Sequence, residues 1–277
     1  MSAFDRLHPA EIRQHRRAQA TREDADAISA KIQRCLETSS NALLDIQRPE
    51  GYWCGDLTAD STLESDYVLL QLWLHPPDGE SWNPPTRALV DRCCRSVLAR
   101  QLADGGWNIY PAGPSEVNAS VKAYSALKIA GFSADRPEMV RARERILQLG
   151  GIQACNSYVR INLSLFGLYP RRYVPTVPPE MVLLPGDILY EMSSWTRTIV
   201  VPLSIVQAVG RERSVPKGVT LEEIYAPGKR RGPSKRDGLA ILFHHLDKLL
   251  KIWERRGPRN LRAKAIREAE HWILDRT

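Results

Sequence analysis

Several things are missing from this sequence, and each absence excludes something. No run of about 18 apolar residues occurs, so no segment is predicted to span a membrane. The six histidines show no HExxH or other ligand spacing, which argues against a built-in zinc site, so no metal is expected. The five cysteines, Cys35, Cys54, Cys93, Cys94 and Cys155, form no CxxC pair. An odd number of thiols without a pairing pattern predicts reduced cysteines rather than a disulfide framework. Met1 to Arg22 is polar and has no apolar signal core, so secretion is not expected and the thiols fit a cytoplasmic setting. Strand signals are scarce.

What is present is an ordinary globular balance, with 43% hydrophobic and 26% charged residues. The net charge of +7 is local. Arg211 to Thr277 holds 17 Lys and Arg against 9 Asp and Glu, whereas residues 1–210 hold 22 against 23. A basic segment on a neutral body can meet nucleic acid or anionic lipid. No helix-turn-helix, zinc-finger or RNA-binding aromatic signature accompanies the charge, so nucleic acid is not expected as a partner.

Helical periodicity dominates the chain. Residues 1–26 read as a polar arm, loose with some helix. From Ala27 the residues Ile28, Ile32, Leu36, Leu43, Leu44 and Ile46 mostly fit one helix face, with a polar break at Thr38–Asn41. Further helices are predicted over Ser61–Leu74, Thr86–Leu102, Val117–Ala130, Pro137–Leu149, Tyr158–Gly167, Trp195–Val209, Gly238–Arg255 and Leu261–Arg276. The second half of Ser61–Leu74 is apolar on all sides, which predicts burial. A proline-rich connection runs from Tyr169 to Pro185, and residues 210–237 read as a long basic loop. The class is all-α, built from antiparallel helix pairs.

Two segments share one pattern. Gln47-Arg-Pro-Glu-Gly51-Tyr-Trp53 and Gln101-Leu-Ala-Asp-Gly105-Gly-Trp107 both read Q-x3-G-x-W, and each closes a helix whose last turn is apolar. The Gly permits a left-handed turn after the helix. The Trp can fold back on the Gln amide, and the Gln can reach the exposed end of the next helix. Such a motif pins two helices together. An eroded third copy stands at Gln148-Leu-Gly150, and a fourth is expected after Glu270–Arg276.

These repeats resemble the QW motifs of triterpene cyclases, most closely those of the squalene–hopene cyclases. The likeness runs from about Ala27 to Arg276. It is densest in GYWCGDLTADSTLESDYVLLQLWL (51–74), QLADGGWNIYPAGP (101–114), YSALKIAG (124–131), YPRRYVPTVPPE (169–180) and YEMSSWTRTIVVPLS (190–204). The resemblance implies an α/α barrel of the terpenoid cyclase and prenyltransferase kind, with 27–277 as the N-terminal barrel, incomplete at its C-terminus. It implies cyclisation of squalene or a similar linear polyprenoid without a cofactor. In that family an Asp of a DxDD motif protonates a terminal alkene, and aromatic side chains stabilise the travelling carbocation. No DxDD occurs in this sequence; Asp24-Ala-Asp26-Ala is the nearest string. The resemblance therefore places the acid beyond residue 277 and predicts no catalytic acid, and no cyclisation, in this chain alone.

The same resemblance assigns individual positions. Trp195 matches a tryptophan lining the substrate cavity, a role weighed against plain core packing. Met192 and Val200 fall where the family narrows its substrate channel, and both fit ordinary core equally well. Asp66 stands where the family usually has Glu, within a polar network that orders the water of termination. Lys122 replaces an expected Glu, Asn156 an Arg and Asn162 a Trp, which puts product control in doubt. Asp66 precedes an apolar run, so if buried it needs a partner, and Lys122 can supply one. Glu64 is expected to face solvent.

Gly238–Arg255 can be amphipathic, with Leu239, Leu242, Leu246, Leu249, Leu250 and Trp253 on one face and Lys229, Arg230, Arg231, Lys235 and Arg236 preceding it. A basic flank, an apolar stripe and a Trp suit docking on an anionic membrane surface. That reading, peripheral attachment on the cytoplasmic side, stands beside a barrel helix with its apolar face inward. At the level of function, three readings follow: the N-terminal part of a cyclase, one half of a split cyclase with a separate C-terminal chain, or a non-catalytic isoprenoid- or membrane-binding protein.

Overall fold

A computed structural model describes residues 9–55, 59–78, 81–186, 188–210, 212–228 and 238–276. Among them there is no strand. The helices are α1 (Pro9–Asp45), α2 (Ser61–Leu74), α3 (Arg87–Ala99), α4 (Val117–Ile129), α5 (Pro137–Gln148), α6 (Ser157–Ser164), α7 (Ile188–Glu191), α8 (Ser194–Val209), α9 (Gly238–Arg256) and α10 (Arg259–Leu274). The all-α class is that of the α/α toroid. The chain divides into two compact units, Met1–Thr58 and Ala59–Thr277.

The first unit is one long helix with a hooked end. α1 is described from Pro9 onward. It runs on through position 26 and through Thr38–Asn41, so neither the polar arm nor the polar break interrupts it. Arg, Ala, Gln and Glu fill much of this stretch, and their intrinsic helix preference outweighs the lack of apolar period. The stripe Ile28, Ile32, Leu36, Leu43, Leu44 and Ile46 lies 55–65% exposed.

The second unit is organised around α4. From Ala119 to Ile129 every residue except Lys128 is buried. Ala119, Ser120, Ala123, Ser125 and Ala126 are small enough to let neighbouring helices close in on several sides. α2 packs on both α3 and α4, and α4 packs on α5. Caps follow from sequence: Asp60 accepts from Thr62 N at 2.8 Å, and Glu116 accepts from Ala119 N at 2.9 Å. Burial of Tyr124, Leu127, Ile129 and similar side chains stabilises the unit by about 1.5–3 kcal/mol each.

Several boundaries differ from the sequence reading. α2 is buried along one side only: Val68, Leu69 and Leu72 enter the core, whereas Leu63, Leu70 and Leu74 are exposed. α6 ends at Ser164, and the chain reaches Gly167 through turns. The proline-rich connection is not featureless, because short 3-10 turns form at Arg171–Tyr173 and Pro179–Leu183. Within the long basic segment, a turn at Glu222–Ile224 anchors itself by burying Leu221 and Ile224. Tyr225 stacks on Tyr169 at 6.2 Å, and Glu223 takes Tyr124 Oη at 2.9 Å and pairs with Lys128. The basic residues Lys229, Arg230, Arg231, Lys235 and Arg236, and the side chains of Leu239 and Leu242, lie outside the described residues.

Candidate functional site

A cavity of about 330 Å³ opens in the second unit between α2, α6 and α8. Helical spacing builds its walls. Asp66, Leu69, Leu70 and Trp73 recur at three- and four-residue steps on α2. Tyr158, Asn162, Leu165 and Phe166 do the same along α6 and the turn after it, and Val206 comes from α8. Most of the lining is apolar, and three of its side chains are aromatic. Trp73 meets Phe166 edge to face at 6.1 Å, and the guanidinium of Arg213 lies 4.8 Å from a Trp73 ring.

One charged group lines this greasy cavity. Asp66 Oδ2 accepts a charged hydrogen bond from Lys122 Nζ at 2.7 Å, and Lys122 also sits 4.9 Å over the Tyr158 ring. The remaining oxygen, Oδ1, is buried and has no hydrogen-bond partner. Burial pushes the Asp66 carboxyl above its ordinary value; the charge and hydrogen bond of Lys122 pull it part of the way back. Paired with an ammonium, Asp66 is placed to accept hydrogen bonds rather than to give up a proton.

The positions singled out in the sequence fall at different places. Asp66 and Asn162 both line the cavity. Asn156 instead caps α6, accepting from Val159 N at 3.0 Å while its own N–H donates to Asn118 Oδ1 at 2.7 Å. Glu64 does not simply face solvent: it pairs with Arg100 at 3.0 Å and accepts from Ser96 Oγ at 3.0 Å. Trp195 is 78% exposed at the start of α8. It is eleven residues before Val206, so about 16 Å along the helix axis from the cavity. Trp195, Ile199, Pro202 and Val206 form one stripe of α8, leading from an exposed end to the cavity wall. Met192 and Val200 are half-buried, and the Met192 carbonyl is held by Arg197. Trp73, Tyr158, Phe166 and Val206 were not singled out in the sequence. Tyr158 and Phe166 stand four residues either side of Asn162, and Trp73 two turns after Asp66, which was the available signal for these three; Val206 carried none.

The two Q-x3-G-x-W segments fold alike. Gln47 Nε2 donates to Gly51 O and Gln101 Nε2 to Gly105 O, each at 2.8 Å. Trp53 Nε1 donates to Leu43 O at 2.6 Å, and Trp107 Nε1 to Val97 O at 2.7 Å. The glutamine thus closes the turn, and the indole caps a carbonyl in the last turn of the preceding helix.

α9 is oriented against the usual rule. Asp247, Lys251 and Glu254, at steps of four and three, face the proline-rich connection. Asp247 accepts from Thr176 N at 2.8 Å, Lys251 donates to Arg172 O at 3.0 Å, and Glu254 pairs with Arg171 at 3.2 Å. Gln207 of α8 joins this network, accepting from Arg171 at 3.1 Å and from Val177 N at 2.9 Å. At 100° per residue, Leu246, Leu249, Ile252 and Trp253 then lie on roughly the opposite side, and all four are exposed. Among the described residues, no helix is long and apolar enough to cross a membrane.

Residues 36–277 match the family model of the squalene-hopene cyclase N-terminal domain. The chain is 34% identical over 256 residues to a squalene–hopene cyclase of Zymomonas mobilis, which covers 90% of this chain and 38% of that protein. It is 34% identical over 249 residues to the squalene–hopene cyclase of Alicyclobacillus acidocaldarius, covering 88% of this chain and 38% of that protein. A dammaradiene synthase of Dryopteris crassirhizoma is 29% identical over 252 residues, or 88% of this chain and 36% of that protein. The chain therefore spans well under half the length of these curated relatives.

Proposed function

This chain belongs to the squalene–hopene cyclase family, matching its N-terminal domain, and we propose from that premise that it supplies one wall of a triterpene cyclase cavity. In this reading squalene, or a similar linear polyprenoid, lies along the α8 stripe from Trp195 to Val206 and against the cavity of α2 and α6. Met192 and Val200 narrow its path. The observation that carries the reading is the cavity itself: an apolar, aromatic-lined space with Asp66 as its one carboxylate. An apolar wall folds a polyene and keeps water from a cation. Asp66, the cavity's one carboxylate, offers an acceptor for the water or proton of the last step. The acid that starts the reaction comes from outside these 277 residues, since no DxDD is among them and an ion-paired carboxylate does not protonate an alkene.

The outward apolar face of α9 supports docking on a membrane leaflet. Leu246, Leu249, Ile252 and Trp253 are presented to the outside while the charged stripe is used up on the protein. Burying such a face in an interface is favourable in proportion to its apolar area, and basic residues add attraction to anionic lipid.

Two measurements test these statements. The chain is incubated with squalene alone, and also co-expressed with the part of the Zymomonas mobilis relative that the match leaves uncovered; polycyclic products are read by mass spectrometry. Product is expected only from the pair. Product from this chain alone overturns the statement about the acid, and squalene binding without product in the pair favours a non-catalytic isoprenoid-binding protein. Flotation with anionic vesicles tests α9: Leu249→Asp with Trp253→Ser is expected to release most of the bound chain, and unchanged flotation removes α9 as the docking element.

A further inference from the structure

Two of the three aromatic rings that line the cavity already hold a protein cation. The guanidinium of Arg213 lies 4.8 Å from a Trp73 ring, and Lys122 Nζ lies 4.9 Å from the Tyr158 ring. The third, Phe166, meets Trp73 edge to face. Neither Arg213 nor Lys122 lines the space, so each cation reaches its ring from outside it. Both are held in place. Arg213 N donates to Leu165 O at 2.8 Å, which ties it to the turn after α6, and Lys122 is 6% exposed on α4.

The charges around these rings do not cancel. Lys122 is balanced by Asp66 at 2.7 Å. Asp60, whose charge Asp66 feels, is taken up at the positive N-terminus of α2, where it accepts from Thr62 N. Arg213 has no such balance: its Nε is buried without a hydrogen-bond partner, and no carboxylate pairs with it among the described residues. A free ring face attracts a cation through its quadrupole. A ring with a cation on one side offers a second cation much less, because the two would stand about 9–10 Å apart. They repel through an apolar medium in which salt screens little.

We infer that this cavity selects an uncharged isoprenoid segment over a cationic one, and that Arg213 sets the preference by loading Trp73 from outside. The inference rests on the polyprenoid reading and deepens it. Trp73 and Tyr158 give shape to a hydrocarbon here and are not a seat for positive charge. Arg213 does not line the space; it acts through Trp73 as a specificity-determining residue. Lys122 does the same through Tyr158, with its own charge answered by Asp66.

The test uses the full chain, with methyl NMR of Leu69, Leu70 and Val206 reporting occupancy, and two isosteric probes. One is dimethylgeranylamine, protonated at neutral pH; the other is the hydrocarbon with CH in place of the NH+. The ratio of their affinities is read, so a general change in packing cancels. In Arg213→Gln, and independently in Arg213→Met, the ratio should shift about tenfold towards the amine, the order of one unit-charge repulsion at that separation. Arg213→Lys keeps the charge and should hold the ratio within about twofold of the natural chain. A ratio that stays put in both neutral variants, while the hydrocarbon binds, overturns the inference and leaves the polyprenoid reading standing. An amine that binds the natural chain more tightly than the hydrocarbon does the same. A hydrocarbon that fails to bind at all overturns both.

Discussion

Replacing Lys122 by Met isolates the electrostatics of the cavity. Met keeps most of the volume and all of the apolar stem, so little of the effect comes from packing. What is lost is the partner of Asp66. Its Oδ1 already lacks one, so the variant leaves a carboxylate with both oxygens unsatisfied. Breaking a fully buried pair costs 3–5 kcal/mol, but the Asp66 side chain is 30% exposed and water screens it. The discounted expectation is about 2 kcal/mol, or roughly 4–8 °C in the melting temperature of a domain this size. The pH dependence has a definite sign. Asp66 titrates above its ordinary value because it is buried, so the folded state takes up the proton before the unfolded chain does. The ionised form therefore costs stability above the folded value, and the cost fades as pH falls towards the unfolded one. Removing Lys122 raises the folded value further. The deficit should be largest at pH 8 and shrink on acidification. Thermal unfolding by circular dichroism across pH 4 to 8 reads this, with Asp66→Leu/Lys122→Met recovering most of the loss. A deficit under about 1 °C at pH 8, or one that widens towards acid, refutes the reasoning.

Gly105→Ala should be far more damaging than Gly51→Ala. Both need a left-handed turn, but only at Gly105 does the new Cβ strike backbone, so expected costs are above about 3 kcal/mol and about 1 kcal/mol; chemical denaturation midpoints compare them. Trp107→Phe removes the indole bond to Val97 O, which keeps its 3.2 Å bond from Arg100 N, for a loss of about 1 kcal/mol beyond the packing term, read the same way. Trp195→Ala, at a largely exposed position, should leave stability within about 0.5 kcal/mol, while lowering product yield in the co-expressed pair.

The fold was legible wherever short-range physics decided it. The helices expected over Ser61–Leu74, Thr86–Leu102, Val117–Ala130 and Pro137–Leu149 lie within a few residues of α2 to α5. The Lys122–Asp66 pair followed from one rule, that a carboxylate at the edge of an apolar run needs a cation. The misses share a cause. Periodicity reports that a helix has two faces but not which neighbours lie against them. The run of α2 from Tyr67 to Leu74 looked wholly buried, yet one side borders an open cavity. The polar first part of α1 had no period to show, although its helix formers sufficed. α9 offered two faces of equal plausibility. Only the contacts of Asp247, Lys251 and Glu254 choose between them.

The ionic attachment of α9 leaves its apolar face free of any part in holding the body together. Its grip on the body depends on ionic side chains, so salt, rather than detergent, should loosen it. Conversely, the outer leucines and Trp253 contribute little to holding the helix in place. They can be exchanged for glutamate or lysine to give a chain that stays in solution at high concentration, with the same architecture, for crystallisation or for the binding measurements above.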